Sequence, residues 1–151
     1  MRNDLKRELY ALCISYVKTR IATAKQAIDD AQQSANEETK SSAGDKYETG
    51  REMMQQETDR NQAQLNEANK LLVALQNIDP DTTPGIAGAG SLVITDNGKF
   101  YIAISAGALA LNGENYFAVS PASPIGLKLK EQKAGDQFSL NGKSYLVKDI
   151  L

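Results

Sequence analysis

The sequence contains no histidine and a single cysteine, Cys13, in 151 residues. Those absences exclude a Ser-His-Asp triad, a Cys-His pair, a zinc site of the usual Cys/His kind and an internal disulfide. What remains is carboxylate and magnesium chemistry, or no chemistry at all. Cys13 stands between Leu12 and Ile14 in an amphipathic stretch. A small buried thiol is expected there; a nucleophile would need a basic neighbour to lower its pKa. Also missing is any apolar run near the roughly 18 residues of a membrane span. The charged start, MRNDLKRELY, lacks the short apolar core of a secretory signal. With 24% charged side chains and a mean hydropathy of -0.43, the expectation is a cytoplasmic chain with no membrane partner.

The net charge of -2 hides an uneven distribution. Residues 1–28 hold six basic side chains (Arg2, Lys6, Arg7, Lys18, Arg20, Lys25) against Asp4 and Glu8. Residues 29–59 hold nine acidic ones (Asp29, Asp30, Glu37, Glu38, Asp45, Glu48, Glu52, Glu57, Asp59) against Lys40, Lys46 and Arg51. An acidic region of this kind is repelled by bare nucleic acid and can approach a metal ion or a basic channel; a solvated coiled coil explains it equally well.

From Asp4 to about Thr39, Ile14, Val17, Ile21, Ala24, Ile28, Ala31 and Ala35 recur in steps of three and four, with no Gly or Pro to interrupt them. This is the heptad signature of a long helix. Ser42, followed by Asp45, reads as a helix cap with an acidic residue in the first turn. A second pattern then runs from Ala43 to about Asn77 through Tyr47, Arg51, Met54, Thr58, Asn61, Leu65, Ala68, Leu72 and Leu75. The two helices predict an antiparallel hairpin over residues 1–79, a thin seam around Thr58 and Asn61, and a tip near 35–52. Asp79-Pro80 ends the second helix, and the small residues up to Gly90 read as a linker over 80–90.

After Ser91 the apolar period becomes alternating. Residues 91–95 and 99–105 flank Asp96-Asn97-Gly98 as a hairpin, a strand is expected at 116–120, and 137–140 and 143–150 flank Asn141-Gly142 as a second hairpin. Ser123-Pro124 opens a short helix to about Lys130, with Ser as the cap and Pro at the first helical position. Residues 91–151 are therefore expected to form a mostly antiparallel sheet with one short helix, making the chain α+β.

The segment Ser120-Pro121-Ala122-Ser123-Pro124-Ile125-Gly126, with Leu127, Leu129, Lys133, Gly135-Asp136 and the closing SYLVKDIL, resembles the C-terminal domain of the bacterial Gre transcript-cleavage factors. Tyr47 followed by Arg51-Glu52 is similar to the Tyr and Arg-Glu of that family's second helix. The resemblance implies a coiled-coil finger joined to an FKBP-like domain, in a protein cofactor of RNA polymerase that is not an independent enzyme. In such factors the globular domain docks at the rim of the secondary channel and the finger enters it. Two tip carboxylates there help to hold a second magnesium ion against the backtracked transcript.

Counting back from Tyr47, the family's two acidic positions fall at Lys40 and Ala43, neither of which binds magnesium. The nearby acids Glu38, Asp45 and Glu37 are the substitutes to consider, Glu38 and Asp45 first because they flank the turn. Capping and solvation account for them equally well. By the same resemblance, Ser120, Pro121 and Ile125 belong to the polymerase-docking surface, or else simply turn the chain into its short helix. The expected partner is bacterial RNA polymerase, with transcript RNA met only inside that complex. No cofactor is expected to bind tightly, any Mg being shared with the polymerase, and the chain is expected to be a monomer. A channel-occupying regulator without cleavage and a coiled-coil adaptor unrelated to transcription remain as alternatives.

Overall fold

The structure is a computed structural model that describes residues 2–41, 45–81 and 85–151, with side chains described for 4–34, 52–81 and 85–151. Two long helices come first, α1 (Arg2–Ser41) and α2 (Asp45–Gln76). The expected cap at Ser42 and the family position at Ala43 lie outside the described residues. α2 ends where the amides of Asn77 and Ile78 bond back to Val73, Ala74 and Leu75, and the Asp79 side chain accepts from the Asp81 amide at 2.9 Å. Pro80 has no amide to continue the helix.

The chain divides into two compact units, Val17–Leu72 and the combination of Met1–Tyr16 with Val73–Leu151. The division falls inside both helices and not within 80–90. In the first unit, Val17, Ala24, Ala31 and Ala68 are buried, and Ile21, Ile28, Met54, Thr58, Asn61, Leu65 and Leu72 are half-buried. These are the two heptad stripes read from the sequence. Arg20 lies 3.4 Å from Gln64, and Ala24 and Ala27 share a cavity wall with Asn61, which gives the helices an antiparallel register. Alanine buries far less apolar surface than leucine, for which full burial contributes about 1.5–3 kcal/mol. This stretch of the seam is correspondingly thin.

The second unit is built on a six-stranded sheet. Its strands are β1 (Leu92–Thr95), β2 (Gly98–Ile102), β3 (Gly107–Leu111), β4 (Glu114–Val119), β5 (Gln137–Leu140) and β6 (Lys143–Ile150), in the order β3-β4-β2-β1-β6-β5. Every pairing is antiparallel except β2 with β4. The short helix α3 (Pro124–Leu129) follows β4. Its expected cap is present: the Ser123 hydroxyl accepts from the Gly126 amide at 3.0 Å, and Pro124 occupies the first turn.

β3 is a strand that the sequence pattern does not predict, although Asn112-Gly113 joins it to β4. Asn112 and Gly113 have φ of 53° and 80°, and Asn141 and Gly142 have φ of 51° and 80°. Two successive positive φ values are what a two-residue type I′ hairpin needs, and Asn-Gly supplies them at least cost. The first expected turn is built differently. Gly98 pairs with Thr95 as the first residue of β2, and the Thr95 hydroxyl closes the loop by accepting from the Asn97 amide and donating to the Gly98 carbonyl.

The two faces of the sheet bury different partners. Val93, Phe100, Ile102, Val147 and Ile150 pack with Ala87 and with Leu129 of α3. On the opposite face Leu92, Tyr101, Leu109, Tyr116 and Ala118 are buried, Tyr101 beside Cys13 and Tyr10 of α1. The residues after Pro84 are stitched into the same unit. Ala87 exchanges main-chain bonds with Gln132 and Glu131, and the Gly90 amide donates to the Ile102 carbonyl at 2.7 Å.

Candidate functional site

Glu37 and Glu38 fall in the last turns of α1 and Asp45 is the first residue of α2. The side chains of all three lie outside the described residues, as do those of Lys40, Tyr47 and Arg51. The acids nearest to them whose side chains are described, Asp29, Asp30, Glu52, Glu57 and Asp59, are all exposed. Among the described residues no group of three or more His, Cys, Asp or Glu side chains is placed to hold a metal ion.

The segment Ser120–Gly126 is a tightly bonded turn. The Ser120 carbonyl accepts from the Ser123 amide at 3.1 Å and from its hydroxyl at 2.6 Å, while the Ser120 hydroxyl accepts from the Ala122 amide at 3.1 Å. A Cβ on Gly126 would sit 1.9 Å from the Ser120 carbonyl oxygen, so only glycine allows α3 to approach so closely. Ser120 and Pro121 are half-buried, and Ile125 is partly buried against the core. Of the three docking candidates, Ser120 is thus committed to the turn and Ile125 to packing. The surface beside them carries Pro124 and Leu127, the latter 62% exposed.

An ionic cluster, invisible in the sequence, joins the first turns of α1 to the exit of α2. Arg7 grips Asp81 with two bonds, Nε to Oδ1 at 2.8 Å and Nη2 to Oδ2 at 3.0 Å. This pairing raises the Arg7 pKa and lowers that of Asp81. Lys6 is almost fully buried next to them. Burial lowers its pKa, opposed by the charges of Asp79 and Asp81. Lys6 and Asp79 are 73 positions apart, and no local pattern could have joined them. The Tyr10 hydroxyl adds a 2.7 Å bond to the Leu75 carbonyl in the same region.

Deeper in this unit, Cys13 is buried and its pKa is pushed up to about 11 by desolvation. It is held as an unreactive thiol. Tyr101 is fully buried, its pKa raised by burial and by the neighbouring Cys13 and Tyr10, and its hydroxyl has no hydrogen-bond partner among the described residues. In the other unit, a cavity of about 220 Å³ opens between Thr19, Arg20, Thr23, Ala24 and Ala27 of α1 and Asn61 and Gln64 of α2. The Asn61 amide nitrogen is buried there with no hydrogen-bond partner among the described residues.

No known protein family matches the chain, and no curated protein matches it either. Among the described residues no helix is long and apolar enough to cross a membrane.

Proposed function

We propose that the chain is a Gre-like regulator that binds bacterial RNA polymerase at its secondary channel. The observation that carries this reading is an order of parts. A helical hairpin acidic over residues 29–59 precedes an α+β sheet unit with a short helix opened by the tightly bonded Ser120–Gly126 turn. The C-terminal half is read here as an FKBP-like domain, and its Ser-Pro turn, with exposed Leu127 beside it, as the docking surface. The turn's internal bonds fix its shape before any partner arrives, which reduces the ordering cost of binding. Glu37, Glu38 and Asp45 are the residues offered to a magnesium ion shared with the polymerase, which takes one or two carboxylates plus substrate phosphates.

Backtracked transcription complexes test the reading. The chain is expected to bind them and to accelerate shortening of the transcript, and replacing Glu37, Glu38 and Asp45 together by Ala is expected to abolish the acceleration without abolishing binding. Binding with no acceleration by the unaltered chain supports a non-cleaving occupant of the channel. Absence of binding overturns the reading.

A coiled-coil adaptor is the second reading, favoured by the cavity at Thr23 and Ala27 and the unpartnered Asn61 amide beside it. It predicts association with a helical partner that Asn61→Leu disrupts.

A further inference from the structure

We infer that β3 is a pairing edge, and that two copies of the chain join through it into one continuous sheet. β3 lies at the end of the strand order, where among the described residues it pairs with β4 alone. The two-residue loop at Asn112-Gly113 fixes which main-chain groups face outward. The closing pair, Leu111 with Glu114, exchanges both hydrogen bonds in such a hairpin, so alternation turns Leu109 inward as well and directs the N–H and C=O of Ala108 and Ala110 away from β4.

Nothing on this edge guards it. Residues 100–113 contain no charged side chain and no proline, the usual devices that keep an open strand from pairing. Ala108 and Ala110 are exposed and too small to screen the backbone. The nearest charges, Lys99 and Glu114, are already bonded to each other. Next to Ala108 across the β3–β4 ladder stands Phe117, a large apolar side chain left 43% exposed. The opposite edge contrasts with this one, since β5 is flanked by Lys133, Asp136 and Lys143.

The occupant that fits is a second copy, because the edge is self-complementary. With a two-fold axis through Leu109, Ala108 of one copy faces Ala110 of the other and both pairs exchange their outward N–H and C=O groups. The two Leu109 residues meet on one face, and each Phe117 ring gains cover on the other. No like charges are brought together, so the uncharged edge imposes no repulsion on this pairing. A contact of one short strand lies well below the size of a tight interface, so the dimer is a weak one.

Sedimentation equilibrium of the full chain from about 10 μM to 1 mM tests this. A dimer that grows with concentration is expected. Ala110→Pro, which removes an outward amide without touching the β3–β4 ladder, and Ala108→Lys, which places a charge on the edge, are each expected to weaken it at least tenfold. Ser139→Lys on β5 is expected to leave it unchanged. Far-UV circular dichroism establishes that each variant is folded, and if proline unfolds the hairpin the lysine variant decides alone. A monomer throughout the range, or a dimer that folded Ala108→Lys leaves intact, overturns the inference. Neither outcome bears on polymerase binding, which is measured separately.

Discussion

Replacing Tyr101 by Phe should make the protein more stable. The Tyr101 hydroxyl is fully buried between the sheet and the start of α1 and has no hydrogen-bond partner among the described residues. Burying a hydroxyl without a partner costs about 1–3 kcal/mol by mutational measures. Deleting one oxygen forfeits a few contacts of about 0.1–0.2 kcal/mol each. The net expectation is a gain of about 1 kcal/mol, or about 2–4 °C in Tm for a chain of this size. Tyr10→Phe is the matched comparison, because its hydroxyl makes a 2.7 Å bond to the Leu75 carbonyl. Losing that bond should cost about 1 kcal/mol. Urea denaturation of the two variants, read against the unaltered protein, therefore predicts shifts of opposite sign. A loss of 1 kcal/mol or more in Tyr101→Phe would mean that the hydroxyl has a partner in solution and would refute the reasoning.

Three further predictions follow from the same packing. Gly126→Ala forces a Cβ into the Ser120 carbonyl and should cost about 2–4 kcal/mol, measured by denaturation; a cost under about 1 kcal/mol would contradict the rigid turn. Asn61→Leu removes an unpaired buried amide beside a cavity of about 220 Å³ and should stabilise by about 1–2 kcal/mol, seen as a higher Tm; an unchanged or lower Tm would show that the seam already satisfies Asn61. Cys13 has a folded pKa of about 11 against an ordinary value of 9.0. Above pH 9 the unfolded chain releases the thiol proton while the folded chain keeps it. Stability should therefore fall as pH rises from 9 to 11, and less steeply in Cys13→Ala. Equal slopes would place the loss elsewhere.

The helices were legible because their signal is local. Val17, Ala24, Ala31, Ala68 and Leu75, picked out by spacing alone, are all buried positions of α1 and α2. The Ser123-Pro124 start of α3 and the Asn141-Gly142 turn were equally plain, since a cap and a type I′ turn each need particular residues at particular places. β3 was missed because Gly107–Leu111 alternates small and larger apolar residues with no polar face, so the period-2 contrast is faint. The position of β4 between β2 and β3 was also out of reach, because a parallel pair formed across a skipped strand leaves no mark in sequence order.

The candidate sites divide in the same way. The Ser120–Gly126 turn is legible in its Ser-Pro pattern, but the commitment of the Ser120 carbonyl and hydroxyl to bonds within it arises only in the folded chain. The cluster of Lys6, Arg7, Asp79 and Asp81 joins residues more than 70 positions apart. Likewise, Ala87 looked like part of a spacer and is instead 3% exposed in the core, bonded to Gln132 and Glu131.

The most direct test of the central claim is an equilibrium titration of the labelled full chain with bacterial core RNA polymerase. The account predicts saturable one-to-one binding that weakens when Leu127, exposed beside the Ser120–Gly126 turn, is changed to Asp. No saturable binding at micromolar polymerase would contradict it.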